Sequence, residues 1–129
     1  MENTMSPSND HPEFIIEALL AEWKAAIDTH DPEAVAALFS EDAIFQGFRP
    51  THSVGRAGVA EYYAAQPFGM TAGYDVLTAR RVGQDAIVAY VAAEFSFVDR
   101  ETLPVHLTVV AEHVGTVWEL SHYHVSRVA

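Results

Sequence analysis

Apolar positions in the first part of the chain recur with a period of roughly 3.6 residues. Ile16, Leu19, Leu20, Trp23, Ala26 and Ile27 fall at i, i+3, i+4, i+7, i+10 and i+11, a single helical stripe, while Glu17, Lys24 and Asp28 take the opposite side. Pro12 just inside the start, with the acids Asp10 and Glu13 nearby, suits a helix N-terminus. Thr29-His30-Asp31-Pro32 breaks the pattern, and Asp31 is placed to cap a second helix with Pro32 at its first position. That helix is short, from Glu33 to about Phe39. Ser40-Glu41-Asp42 reads as a turn, Ala43–Gln46 as a brief strand and 47–53 as loop. A third helix covers 55–66 and stops at Pro67.

Downstream the period shortens to two. Strands are expected over 74–82, 86–98, 103–114 and 116–127, with turns at Gly83-Gln84-Asp85, Asp99–Thr102 and Gly115. Long strands joined by short turns predict antiparallel hairpins. Helices first and a meander after predict an α+β fold, three N-terminal helices packed on one face of a curved sheet. The chain reads as one domain over 13–129, preceded by a flexible tail over 1–12.

Parity in the last strand carries the chemistry. Trp118, Leu120, His122, His124 and Ser126 share one face if the alternation is unbroken. Trp118 and Leu120 assign that face to the helices, so strict register turns His122 and His124 inward as well. Buried imidazoles need hydrogen-bond partners or a hydrated cavity.

Composition narrows the classes. Eighteen acids against seven bases give a net charge of −11, a field that repels phosphate backbones and anionic lipids. Nucleic-acid and membrane partners are therefore not expected. The chain has no cysteine, which excludes disulfides, thiolate metal sites and cysteine nucleophiles. The polar, acidic start lacks the apolar stretch of a secretory signal, so a cytoplasmic location is expected. No nucleotide-binding glycine motif and no Gly-x-Ser-x-Gly elbow occurs.

Several segments together resemble the NTF2-like (SnoaL-like, cystatin-like) superfamily of small α+β cones. They are Trp23 with Ala26-Ile27 and Asp31, Leu38–Phe45, Gly55-Arg56 followed by Val59 and Tyr62-Tyr63, and Trp118–Ser126. The ending resembles the branch that contains the association domain of calcium/calmodulin-dependent kinase II. Phe45 through Met70 resembles members from polyketide and enediyne biosynthesis. The resemblance implies a cone enclosing a pocket, a homodimer formed through the sheet, and cofactor-independent isomerase, cyclase or dehydratase chemistry on a small apolar or carbonyl-containing molecule. A non-catalytic ligand-binding or homo-oligomerisation module is the alternative.

The candidate catalytic residues are His122 and His124 as proton carriers, with Tyr63 and Asp42 as hydrogen-bond donor and base. Candidate ligand contacts are Trp118, Phe45, Tyr62, Trp23, Arg56 and Glu94. Phe48, Phe68 and Tyr74 are further aromatic candidates for a planar ligand. Arg56 reads foremost as the partner of a structural acid such as Asp42 or Glu41, since acids far outnumber bases, and both faces of the strand carrying Glu94 look apolar. His122 and His124 stand i, i+2 without the further ligands of a metal site, so neither metal nor cofactor is expected.

Overall fold

The computed structural model describes residues 11–128. Most of the expected tail lies outside them, but Pro12 opens helix α1, Pro12–Asp28. The apolar stripe is buried as the period requires, with Ile16, Leu20 and Trp23 fully enclosed. Helix α2 spans Pro32–Ala37, and the Asp31 carboxylate accepts from Ala34 N at 3.1 Å as its cap. Strands β1 (Phe39–Gln46) and β2 (Ser53–Val54) precede helix α3, Arg56–Ala64. The third helix thus follows a β1–β2 hairpin, where a strand and a loop were expected. Then come β3 (Thr71–Arg81), β4 (Ala86–Ser96), β5 (Leu103–Val114) and β6 (Val117–Arg127).

One six-stranded sheet runs in the order β2-β1-β6-β5-β4-β3. The consecutive pairs from β3 to β6 are antiparallel hairpins, as predicted, whereas β1 lies parallel to β6. The expected turn at Ser40-Glu41-Asp42 falls inside β1. Its ladder is interrupted there: Phe39 pairs with Leu120 but Ile44 with His122, so the intervening residues bulge out. Glu41 and Asp42 reach solvent from this bulge while Ser40 is buried.

The same kind of irregularity overturns the parity expected of β6. On β5 the buried side chains alternate without a break through Val105, Leu107, Val109 and Ala111. Val109 faces Tyr123, but Ala111 faces Leu120. Two steps on β5 therefore match three on β6, and Ser121 is the extra residue of a β-bulge. Upstream of it Leu120 points to the helices; downstream, Tyr123 and Val125 do. His122 and His124 turn to the opposite face of the sheet, beside Val110 and Thr108. The inward orientation expected of both histidines is corrected by this single inserted residue.

Helix α1 lies against β3, β4 and β6, and α3 against α2 and β1. An i,i+4 pair on α1 fastens it to the sheet's edge. Lys24 Nζ donates to Ala72 O at 2.7 Å, and Asp28 Oδ1 accepts from Ala72 N at 3.0 Å. The two side chains also meet at 2.8 Å. Both backbone groups of an edge residue are thereby satisfied, as a neighbouring strand would satisfy them. Among the described residues no helix is long and apolar enough to cross a membrane.

Candidate functional site

The helical face of the sheet carries an aromatic cluster. Phe45 stacks on Tyr123 with centroids 4.7 Å apart, and Trp23 meets Phe95 edge-on at 5.9 Å. Tyr62 and Tyr63, consecutive on α3, both meet Phe45, at 5.1 and 5.8 Å. Neighbours on a helix point about 100° apart, yet α3 has little other apolar surface, so both rings are drawn into the core.

Beside this cluster opens a cavity of about 300 Å³. Its floor and walls are Tyr62, Tyr63, Met70, Phe95, Phe97 and Leu103, with Phe48 and Gln66 nearer the mouth. Three guanidinium side chains complete the lining: Arg49, Arg100 and Arg127. Among the described residues the lining contains no carboxylate and no imidazole.

Of the polar side chains lining the cavity, Tyr63 is the most enclosed. Its hydroxyl accepts from Trp23 Nε1 at 3.2 Å, and the Tyr123 hydroxyl acts on it as a second donor. Burial raises the phenol well above its ordinary range, and the two donors offset only part of that. Tyr123, sealed in the core, is raised too, by burial first and then by its position beside Tyr63. The Tyr62 hydroxyl accepts from Phe48 N at 3.2 Å. Burial raises it, against the lowering effects of that bond and of Arg49. Both phenols are therefore neutral at physiological pH. Each hydroxyl accepts from the protein, and each side chain lines the cavity.

Of the expected site residues, the structure brings Tyr62 and Tyr63 together at this cavity. Phe48 joins them. Trp23 and Phe45 sit behind as support, Trp23 through its bond to Tyr63. The others lie elsewhere. Asp42 is exposed and accepts from Ser40 Oγ at 3.1 Å. Arg56 donates to Phe39 O at 2.7 Å and pairs with Glu119 at 3.2 Å, so its partner is an acid other than Asp42 or Glu41. Glu94 is exposed on the outer face of β4, where Tyr90 and Ala92 share its side. Trp118 stacks on His113 at 4.9 Å, with Arg81 over its ring at 5.8 Å. Phe68 is exposed, its ring 4.0 Å from that of His30, and Tyr74 is half-buried on β3. His122 and His124 share the outer face, and among the described residues no third histidine or carboxylate joins them to hold a metal.

Sequence reasoning missed the three arginines and Met70, Phe95, Phe97, Leu103 and Gln66. They come from the loops after β1 and α3, the β4–β5 hairpin and the end of β6. The usable signal was weak: basic residues are rare in this chain, and Arg49, Arg100 and Arg127 stand in loops, turns or strand ends, but so does Arg81, which lies outside the cavity.

The α+β fold, with helices over one face of a mixed six-stranded sheet, matches NTF2-like proteins with a cystatin-like fold. Residues 16–129 match the SnoaL-like domain, and the chain belongs to that family. Comparison with curated proteins finds no match. Among solved structures, a domain of unknown function with a cystatin-like fold from Nostoc punctiforme superposes with a TM-score of 0.81 at 22% identity, covering 92% of this chain and 78% of that one. A putative scytalone dehydratase from Novosphingobium aromaticivorans gives 0.79 at 16% identity over 97% and 89%. A putative calcium/calmodulin-dependent kinase II association domain from Xanthomonas campestris gives 0.78 at 19% identity over 93% and 90%. At these identities the likeness establishes the fold.

Proposed function

We propose that the chain receives a small, mainly apolar molecule bearing a carbonyl group in the cavity over Tyr62 and Tyr63. The reaction class this supports is cofactor-independent isomerisation, cyclisation or dehydration in which negative charge builds on the carbonyl oxygen. The observation that carries the reading is the Tyr63 hydroxyl, which accepts from Trp23 and Tyr123 and belongs to a side chain lining a largely aromatic cavity. Donors fixed in a water-poor site stabilise a developing oxyanion without reorganising. Tyr62 supplies a second donor of the same kind.

The proton-transfer roles expected of His122, His124 and Asp42 do not enter this reading, because none of the three lines the cavity. Proton movement then falls to the substrate or to water. The same absence of a base favours a second reading, a carrier that holds such a molecule without converting it. We also propose that two copies pair through the outer sheet face, where Ile44 and Tyr90 are 45% and 42% exposed beside half-buried Val88 and Val110. Sedimentation velocity checks this: Ile44→Asp shifts the dimer to monomer.

An aryl ketone, 2-acetylnaphthalene, tests the pocket. Saturable binding is expected, with the ketone stretch moved to lower frequency in the infrared. Tyr63→Phe returns much of that shift, and Tyr62→Phe part of it. A bound ketone whose stretch ignores both substitutions removes the phenols from the site. Failure of the ketone to bind removes the site itself. Turnover of a hydroxylated or enolisable analogue separates the enzyme from the carrier.

A further inference from the structure

The rim of the cavity is cationic in a chain that is otherwise strongly acidic. Arg49 comes from the loop after β1, Arg100 from the β4–β5 turn and Arg127 from the end of β6. Three of the seven basic residues thus converge on one opening, from segments far apart in sequence. Each guanidinium lies over an aromatic ring of the same cavity: Arg49 over Tyr62 at 5.5 Å, Arg100 over Phe97 at 4.8 Å and Arg127 over Phe48 at 5.4 Å.

Structural ion pairing accounts for little of this. Arg49 reaches Glu61 at 3.7 Å and Arg100 reaches Asp99 at 3.5 Å, both beyond good hydrogen-bond length, with the acids 75% and 76% exposed. Such contacts contribute little. Ring contacts hold the guanidinium planes but use none of their N–H donors in the ring plane. The Gln46 side chain donates to Arg49 O, which fixes the loop that brings Arg49 to the rim.

We infer that the ligand is an amphipathic anion: an apolar, planar body in the chamber with a carboxylate at the mouth. This rests on the pocket reading above and adds the charge of the substrate. A net charge of −11 repels anions in general, so only a local cationic ring lets one approach. Guanidinium forks suit a carboxylate in particular. The phenols then meet the carbonyl at the inner end while the arginines hold the acid at the outer one.

The probes are 6-acetyl-2-naphthoic acid, its methyl ester and the parent 2-acetylnaphthalene, compared by fluorescence titration. The acid is expected to bind about tenfold tighter than the ester at low salt, the scale of a charge-assisted hydrogen bond discounted for exposure. High salt narrows the difference. Arg100→Gln with Arg127→Gln brings acid and ester to parity while the neutral ketone still binds. Arg80→Gln with Arg81→Gln, an equal loss of charge outside the cavity, keeps the preference. An acid no tighter than its ester, or a preference that survives the double substitution, overturns the inference while ketone binding leaves the pocket standing. If the neutral ketone fails as well, the pocket reading falls and this inference with it.

Discussion

Tyr63→Phe removes one oxygen from the floor of the cavity and leaves Trp23 without an acceptor. Trp23 is 0% exposed, and its indole N–H has the Tyr63 hydroxyl, 3.2 Å away, as its partner. A buried donor left unpaired costs about 1–3 kcal/mol. The Tyr123 hydroxyl loses the same neighbour in a sealed environment, while the adjoining cavity admits water that restores part of the loss. A destabilisation of about 2 kcal/mol is therefore expected. For 129 residues that lowers Tm by about 7 °C. The assay is urea unfolding followed by tryptophan fluorescence in a Trp118→Phe background, so that Trp23 alone reports. Tyr62→Phe is the internal comparison. Its hydroxyl serves one partly buried backbone N–H, so about 1 kcal/mol is expected. If Tyr63→Phe matches the parent in stability, or costs no more than Tyr62→Phe, the buried donor network assigned to Tyr63 is wrong.

Other outcomes follow from the same geometry. Burial, and next the neighbouring His124, hold the His122 imidazole below its ordinary 6.5. The unfolded chain then takes up that proton first, so stability is complete above pH 6.5 and declines as the pH falls from there toward the lowered folded value. His122→Gln flattens this decline in urea midpoints, and an unaltered profile counts against it. Asp28→Ala frees Ala72 N from its acceptor and costs about 1 kcal/mol; amide exchange at Ala72 accelerates, and protection equal to the parent's contradicts the clasp. At Gly47 an added Cβ collides with the Tyr62 ring, which its neighbours hold in place. Gly47→Ala is expected to destabilise by about 1–3 kcal/mol, the range for overpacking, and to weaken ketone binding; an unperturbed calorimetric Tm and affinity would show that the ring yields.

Much of the scaffold was legible because burial imposes simple periods. The stripe from Ile16 to Ile27 specified α1 and its buried face, Asp31-Pro32 the start of α2, and short turns between apolar runs the hairpins. The bounds of β5 coincide with the expectation. The site was less legible, for two physical reasons. Parity extends along a strand only while every residue is paired, and Ser121 is chemically ordinary. A sign of the bulge was nevertheless present: Trp118 and Leu120 carry one apolar parity, Tyr123 and Val125 the other, and a strand buried on one face can hold both only with an extra residue between. The cavity rim has no such sign. Arg49, Arg100 and Arg127 are separated by tens of positions and meet only because the sheet brings strand ends together. Ser40-Glu41-Asp42 misled in the opposite direction, since a polar triplet inside a bulged strand has the composition of a turn.

The parallel pairing of β1 with β6 ties residues 39–46 to 117–127. On the ribosome, β1 emerges long before its neighbour exists. The growing chain can close its later hairpins in turn as they appear, but the wing formed by β1 and β2 has nothing to zip against until the final strand is released. A nascent chain arrested before Val117 should accordingly leave that wing open to protease, and emergence of residues 117–127 should close it in one late step.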